Sequence, residues 1–151
     1  MIEIFAMTRG HEYWGKTIAL AEKCSWKAGP HLAQKMREND FAEWERVFAA
    51  VEGGRVAGFC TLAEKDRLPA QYEFSPFIGF VFVDEAYRGK RLSEQIIDAA
   101  SSYARSLGYK KIYVLSGERG LYEKFGFEKI GCFPTIGTNE QLFSHATEVV
   151  Q

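Results

Sequence analysis

The chain is poor in cysteine: Cys24, Cys60 and Cys132 are its only three, far apart and odd in number. With no CxxC pair and no Cys/His cluster at metal spacing, the pattern argues against a structural zinc site and no metal is expected. A reducing intracellular compartment is the simplest setting. Charge of either sign is not in excess, since 19 Lys and Arg face 20 Asp and Glu for a net charge of −1. A dedicated nucleic-acid binder would be visibly basic, so local basic patches are better read as ligand sites. No apolar run approaches the roughly 18 residues of a membrane span. Met1-Ile2-Glu3-Ile4 lacks the basic start and apolar stretch of a secretion signal, so a cytoplasmic protein is expected. There is no GxSxG elbow and no GxxxxGK loop followed by Ser or Thr, which counts against serine hydrolase and nucleotide-hydrolysing chemistry. His11, His31 and His145 are isolated from one another.

What the chain does have is the makings of one ordinary domain. Its 151 residues are 46% hydrophobic and 26% charged, with 12 Phe and 7 Tyr to fill a core. Apolar spacing predicts strands over Ile2–Met7, Trp44–Glu52, Arg55–Ala63, Phe77–Val83, Lys110–Ser116, Phe127–Phe133 and Glu140–Thr147. Helices are predicted over Tyr13–Trp26, His31–Asn39, Leu92 to Gly108, and Gly120–Phe125, with Gly29-Pro30 breaking the first two apart. Gly53-Gly54 reads as a hairpin turn, Glu64–Pro76 as a loop able to line a site, and Pro134–Asn139 as a turn. The strand, helix and strand from Phe77 to Ser116 form a βαβ unit, so those two strands should run parallel. The expected fold is α/β in the mixed α+β sense: one twisted sheet of about seven strands flanked by about four helices, in a single domain over residues 1–151.

One stretch carries chemistry. The apolar strand ending at Val83 feeds the helix opening near Leu92 through Asp84-Glu85-Ala86-Tyr87-Arg88-Gly89-Lys90-Arg91. Free amide N–H groups and the positive end of a helix dipole converge at such a point, which makes it an anion site. The cationic side chains beside it favour a diphosphate over a lone carboxylate, so a phosphorylated cofactor is expected.

That block, followed about 30 residues later by Leu121-Tyr122-Glu123-Lys124-Phe125-Gly126-Phe127, resembles the GNAT superfamily of acetyl-CoA-dependent N-acetyltransferases. Those proteins carry an Arg/Gln-x-x-Gly-x-Gly/Ala loop between the fourth strand and third helix, and a Tyr four residues before Gly-Phe after the fifth. The resemblance implies that Arg88, Gly89, Lys90, Arg91, Leu92 and Ser93 grip the diphosphate of coenzyme A through their backbone amides. Arg91 stands where the family has the first glycine of the pair, and Ser93, a residue able to cap a helix, where it has the second. Val81, Phe82 and Val83 would hold the pantetheine arm and the acetyl carbonyl through backbone groups freed by a bulge or splay of their strand. Tyr122 would protonate the departing thiolate.

The resemblance weakens at the general base. The position eleven residues before Arg88, where relatives carry Glu, holds Phe77. Glu73, Asp84 and Glu118 are the carboxylates nearby, and Glu73 is taken with Tyr122 as the catalytic pair. Relatives often carry an Asn after the fifth strand, for which Ser116 is a weak substitute. Glu64, Asp66 and Glu73 are placed to attract a cationic substrate, by charge alone. The implied activity is transfer of acetyl from acetyl-CoA to a primary amine of a small molecule or peptide, by a chain for which a homodimer is allowed and no membrane or nucleic-acid partner is expected. The rival reading is a CoA-binding sensor that has lost catalysis, motivated by Phe77 and Arg91. The basic loop would also suit nucleic acid, against which the near-neutral charge counts.

Overall fold

The computed structural model describes residues 1–118, 120–135 and 138–147. In chain order the elements are β1 (Glu3–Met7), α1 (Trp14–Lys23), α2 (Gly29–Arg37), β2 (Arg46–Glu52), β3 (Arg55–Ala63), β4 (Phe77–Val83), a turn of 3-10 helix (Glu85–Tyr87), α3 (Leu92–Ser106), β5 (Lys111–Ser116), α4 (Leu121–Lys124), β6 (Glu128–Thr135) and β7 (Thr138–Ala146). The strands form one seven-stranded sheet in the order β1-β2-β3-β4-β5-β7-β6. Every neighbouring pair is antiparallel except β4–β5, the parallel pair that the βαβ reading requires. No helix among the described residues is long and apolar enough to cross a membrane.

Helices cover both faces. On one, the α3 side chains Leu92, Ile96, Ile97, Ala100 and Ala104 recur at helical spacing and bury against Phe48, Cys60, Ile78, Ile112 and Val114 of the sheet. Ile96 and Ile97 are almost wholly buried, each contributing roughly 1.5–3 kcal/mol of hydrophobic stabilisation. On the other face Leu20, Ala21, Leu32, Ala33 and Met36 of α1 and α2 pack on Val47, Ala49 and Phe59. A smaller apolar group, Phe77, Leu115 and Leu142, is covered by Leu68 and Phe74 of the segment 64–76.

Several predicted boundaries shift, each for a local reason. The α1 helix stops at Lys23 rather than Trp26, because Cys24 turns extended (φ −68°, ψ 157°). Gly29-Pro30 opens α2 instead of separating it from α1, since a proline in the first turn forfeits an N–H that has no helical partner anyway. Pro134 and Asn139, predicted as turn, face each other as a pair in the β6–β7 ladder; residues 136 and 137 between those strands lie outside the described residues. Gly53 and Gly54 both take positive φ (59° and 80°), as a tight two-residue hairpin between β2 and β3 requires.

β3 and β4 approach closely at Gly58, opposite Val83. A β-carbon there would stand 2.7 Å from the Phe82 carbonyl oxygen and 3.1 Å from Ile96 Cδ1. Gly58→Ala is therefore expected to destabilise the fold by about 1–3 kcal/mol, an overpacking cost larger than the entropy gained by removing a glycine. The measurement is a urea melt: the midpoint should fall with the slope unchanged, and an unaltered midpoint would refute the close approach.

Candidate active site

The site begins where two parallel strands part. β4 and β5 pair at only two positions, Phe77 with Tyr113 and Ile78 with Val114. Beyond Ile78, β4 carries one residue too many for its other neighbour: Gly79 faces Thr61 and Phe82 faces Phe59, leaving Phe80 and Val81 opposite Cys60. This is a β-bulge, and Phe80 adopts φ +50° within it, a left-handed backbone that a bulky side chain rarely accepts. The bulge bends β4 away from β5, so the edge of Gly79–Val83 turned toward β5 has no strand to bond. The splay anticipated around Val81, Phe82 and Val83 is thus present, centred one residue earlier than those three.

At the far end of β4 the chain makes the anion loop. Gly89 (φ +84°) and Arg91 (φ +58°) are both left-handed, and Arg91 is the N-cap of α3. Arg91 thus takes the backbone that the family's glycine would supply. No side chain caps α3, so its leading N–H groups point into the loop together with the positive end of the helix dipole. Ser93, expected as a capping residue, lies inside the first turn instead. The Arg91 side chain turns along the helix, its Nε donating to Glu94 Oε1 at 2.8 Å. Arg88 folds back: its Nε donates to the Val83 carbonyl at 3.1 Å and its guanidinium lies 5.9 Å from the Phe82 ring centroid. Lys90 is exposed. An arrangement of this kind holds a diphosphate by main-chain donors, with cations at the rim.

Tyr122 stands in the first turn of α4, buried on the α3 face of the sheet against Phe127 and Phe143. Burial raises its pKa well above the usual phenol value, and the charges of Glu118, Cys60 and Asp66 push the same way. Burial likewise pushes up the thiol of Cys60, which disfavours its thiolate and makes it a poor nucleophile.

The carboxylates sort by what they touch. Asp84 is committed to an ion pair with Arg55 (3.0 Å). Glu118 is exposed just beyond β5, its amide donating to Ser116 Oγ at 3.0 Å. Glu73 is exposed between Tyr72 and Phe74, whose rings pack on Phe133. Phe77 is buried against Tyr113. Asp66 differs from them all. Its Oδ2 lies 3.4 Å from where a Gly79 β-carbon would be, beside Thr61, on the α1–α2 face of the sheet at the split itself. Burial raises its pKa and Glu140 adds to this, while Arg67 pulls the other way.

Arg67 connects Asp66 (Nε to Oδ1, 3.4 Å) with Glu140 of β7 (Nη2 to Oε1, 2.6 Å). Sequence reasoning passed over Glu140 as the start of a strand. The signal was there: Glu140 precedes Leu142 by two residues, so a carboxylate occupies a register position whose neighbour is wholly buried.

The profile of the acetyltransferase (GNAT) family matches residues 10–127. The chain belongs to that family. The matched residues take in β4, the loop after it and α3. An uncharacterized N-acetyltransferase of Escherichia coli (strain K12), YhbS, is 31% identical over 99 residues, covering 64% of this chain and 56% of that protein. The chain thus spans just over half the length of this relative. Among solved structures, aminoglycoside 6'-acetyltransferase type Ii superposes with a TM-score of 0.77 at 15% identity, over 99% of each chain. An aminoglycoside 6'-N-acetyltransferase complexed with coenzyme A gives 0.74 at 13% identity, again over 99% of each. At such identities the likeness is one of fold.

Because burial disfavours the phenolate, Tyr122 is expected to ionise only above the range near 10 of exposed tyrosines. Alkaline ultraviolet titration of the protein minus that of Tyr122→Phe measures this. The difference should show no step near pH 10 while the fold persists, and a step there would contradict the buried placement.

Proposed function

We propose that this protein transfers acetyl from acetyl-CoA directly to a primary amine, of a small molecule or a peptide. The observation that carries the reading is the pairing of two features: a bulged, splayed β4 and a left-handed, uncapped loop at its end. Together they offer main-chain donors at both ends of an extended thioester ligand. The residues Arg88, Gly89, Lys90, Arg91, Leu92 and Ser93 hold the diphosphate, and the backbone of Val81, Phe82 and Val83 holds the pantetheine arm and steadies the oxyanion that forms when the amine attacks.

Attack and departure use opposite faces of the sheet. Tyr122 lies on the α3 face, where its hydroxyl gives up its proton to the leaving thiolate. Burial raises the phenol, and a thiolate released beside it would be the stronger base for the same reason, so the two remain matched. The amine arrives on the other face under the segment 64–76, and a carboxylate there takes its proton. Glu73 serves through a water in the reading from sequence; the burial of Asp66 over Gly79 favours Asp66 instead. The two departures that suggested an inactive CoA sensor count for less in this reading, since Arg91 adopts the left-handed backbone of a glycine and Asp66 brings a carboxylate close to Gly79. Three cysteines without a disulfide suit a cytoplasmic setting.

Two measurements test the reading. Calorimetry should show that Arg88→Ala with Lys90→Ala weakens binding of CoA far more than binding of pantetheine, which lacks the diphosphate; equal losses would remove the loop from that role. For chemistry, Tyr122→Phe should lower kcat by about 10²–10⁴ with CoA affinity retained. Asp66→Asn should cost a similar factor and abolish an acid limb of kcat/KM that lies above the ordinary carboxylate range, since the raised pKa delays deprotonation as pH rises. If Glu73→Gln removes that limb and Asp66→Asn does not, the base is Glu73.

A further inference from the structure

Glu140 holds an unusual position. It is 8% exposed on β7, its Oε1 accepts from Arg67, and its Oε2 is fully buried without a hydrogen-bond partner among the described residues. A buried carboxylate oxygen left unpaired is costly, so it is a seat for a donor. The residue also stands at a cavity of about 580 Å³ at the end of β5, with Gly117, Glu123, Lys129 and Gln141 among the other walls. Through Arg67 it is tied to Asp66, which sits at the split in the sheet. Two carboxylates sharing one guanidinium leave a net negative charge, which repels an acidic acceptor and attracts a cation.

We propose that the Asp66–Arg67–Glu140 cluster selects acceptors that are dications: primary amines carrying a second ammonium group, which donates to Glu140 Oε2 while the reacting amine meets the thioester beside Asp66. The inference rests on the acetyltransferase reading and specifies its substrate class. The reacting amine must be neutral to attack, so the charge that the cluster holds belongs to another group of the same molecule. Arg67 is half-exposed and already supplies one cation to the pair. It acts as a resident partial substitute for the second ammonium, which lowers affinity for diamines more than for monoamines but leaves the second oxygen of Glu140 for a dication.

The experiment compares kcat/KM for unbranched diamines, from propane to octane chains, with monoamines of the same lengths. The best diamine should exceed its monoamine by about tenfold or more, the effect of one charge-assisted hydrogen bond. In Glu140→Gln, which keeps an oxygen for Arg67, that ratio should fall toward one. In Arg67→Gln, which leaves both carboxylates unneutralised, it should rise several-fold, an opposite sign that general damage to the fold does not produce. Equal kcat/KM for diamines and monoamines in the parent protein overturns the inference and leaves the acetyltransferase reading standing, as does a uniform fall in Glu140→Gln with the ratio unchanged. If CoA binds but no simple amine turns over, calorimetric binding of the diamines to the CoA complex decides: loss in Glu140→Gln supports the seat, and no binding to the parent overturns it. Absence of both CoA binding and turnover overturns the acetyltransferase reading and this inference with it.

Discussion

β4 and β5 run together for two residues and then separate, and everything the site can do follows from that separation. The extra residue at Phe80 is what drives it, and a left-handed phenylalanine costs energy, about 1–3 kcal/mol for a residue held in such a region. The strain persists because the surroundings over-determine it. Phe82 stacks between Phe59 (5.3 Å) and Trp26 (6.0 Å), and Phe80 meets the edge of Trp26 at 6.3 Å. Aromatic contacts of this kind add about 0.5–1.5 kcal/mol each beyond the area they bury. The turn between α1 and α2, remote in sequence, therefore holds open the strand on which the thioester would lie.

The separation also lies between two buried groups on different sides of the sheet. Tyr122 belongs to the α3 side and Asp66 to the α1–α2 side, yet the charge of Asp66 reaches Tyr122 through the gap. Burial pushes Tyr122, Cys60 and Asp66 all toward their neutral forms. A low-dielectric slot of this kind strengthens any main-chain donor aimed at developing charge, which is the condition that acyl transfer from a thioester demands. The anion loop sits beyond this slot, where Arg88, Lys90 and Arg91 remain solvated and the diphosphate would lie near water.

Much of this was legible in residue order. Periodicity located all seven strands and the helices, and the βαβ unit fixed the single parallel pair. Boundaries drifted where a single backbone angle decides them, as at Cys24, or where a rule has two readings, as at Gly29-Pro30, which breaks one helix and begins the next. The side chain of Ser93 is able to cap a helix, but the loop's left-handed turn puts Arg91 at that position. Glu73, Asp84 and Glu118 were candidates by proximity along the chain. Proximity in space distinguishes them: Asp84 is paired with Arg55, Glu73 and Glu118 lie exposed, and Asp66 is the carboxylate folded over the split.

Local order thus determined the strand, the loop and the helix that would receive a diphosphate, because backbone donors at a helix start depend only on residues within a few positions of one another. It also determined the aromatic residue at position 122 and its neighbours Phe125 and Phe127. Only the tertiary structure decided that Asp66, Arg67 and Glu140 form one group, the last two 73 positions apart. Such a cluster is a product of strand order: β7 lies beside β5 and the segment 64–76 crosses the sheet above them, so charges distant along the chain come to pair. Burial, which turns a common carboxylate into an unsatisfied acceptor, is a property of that assembly and of no segment alone.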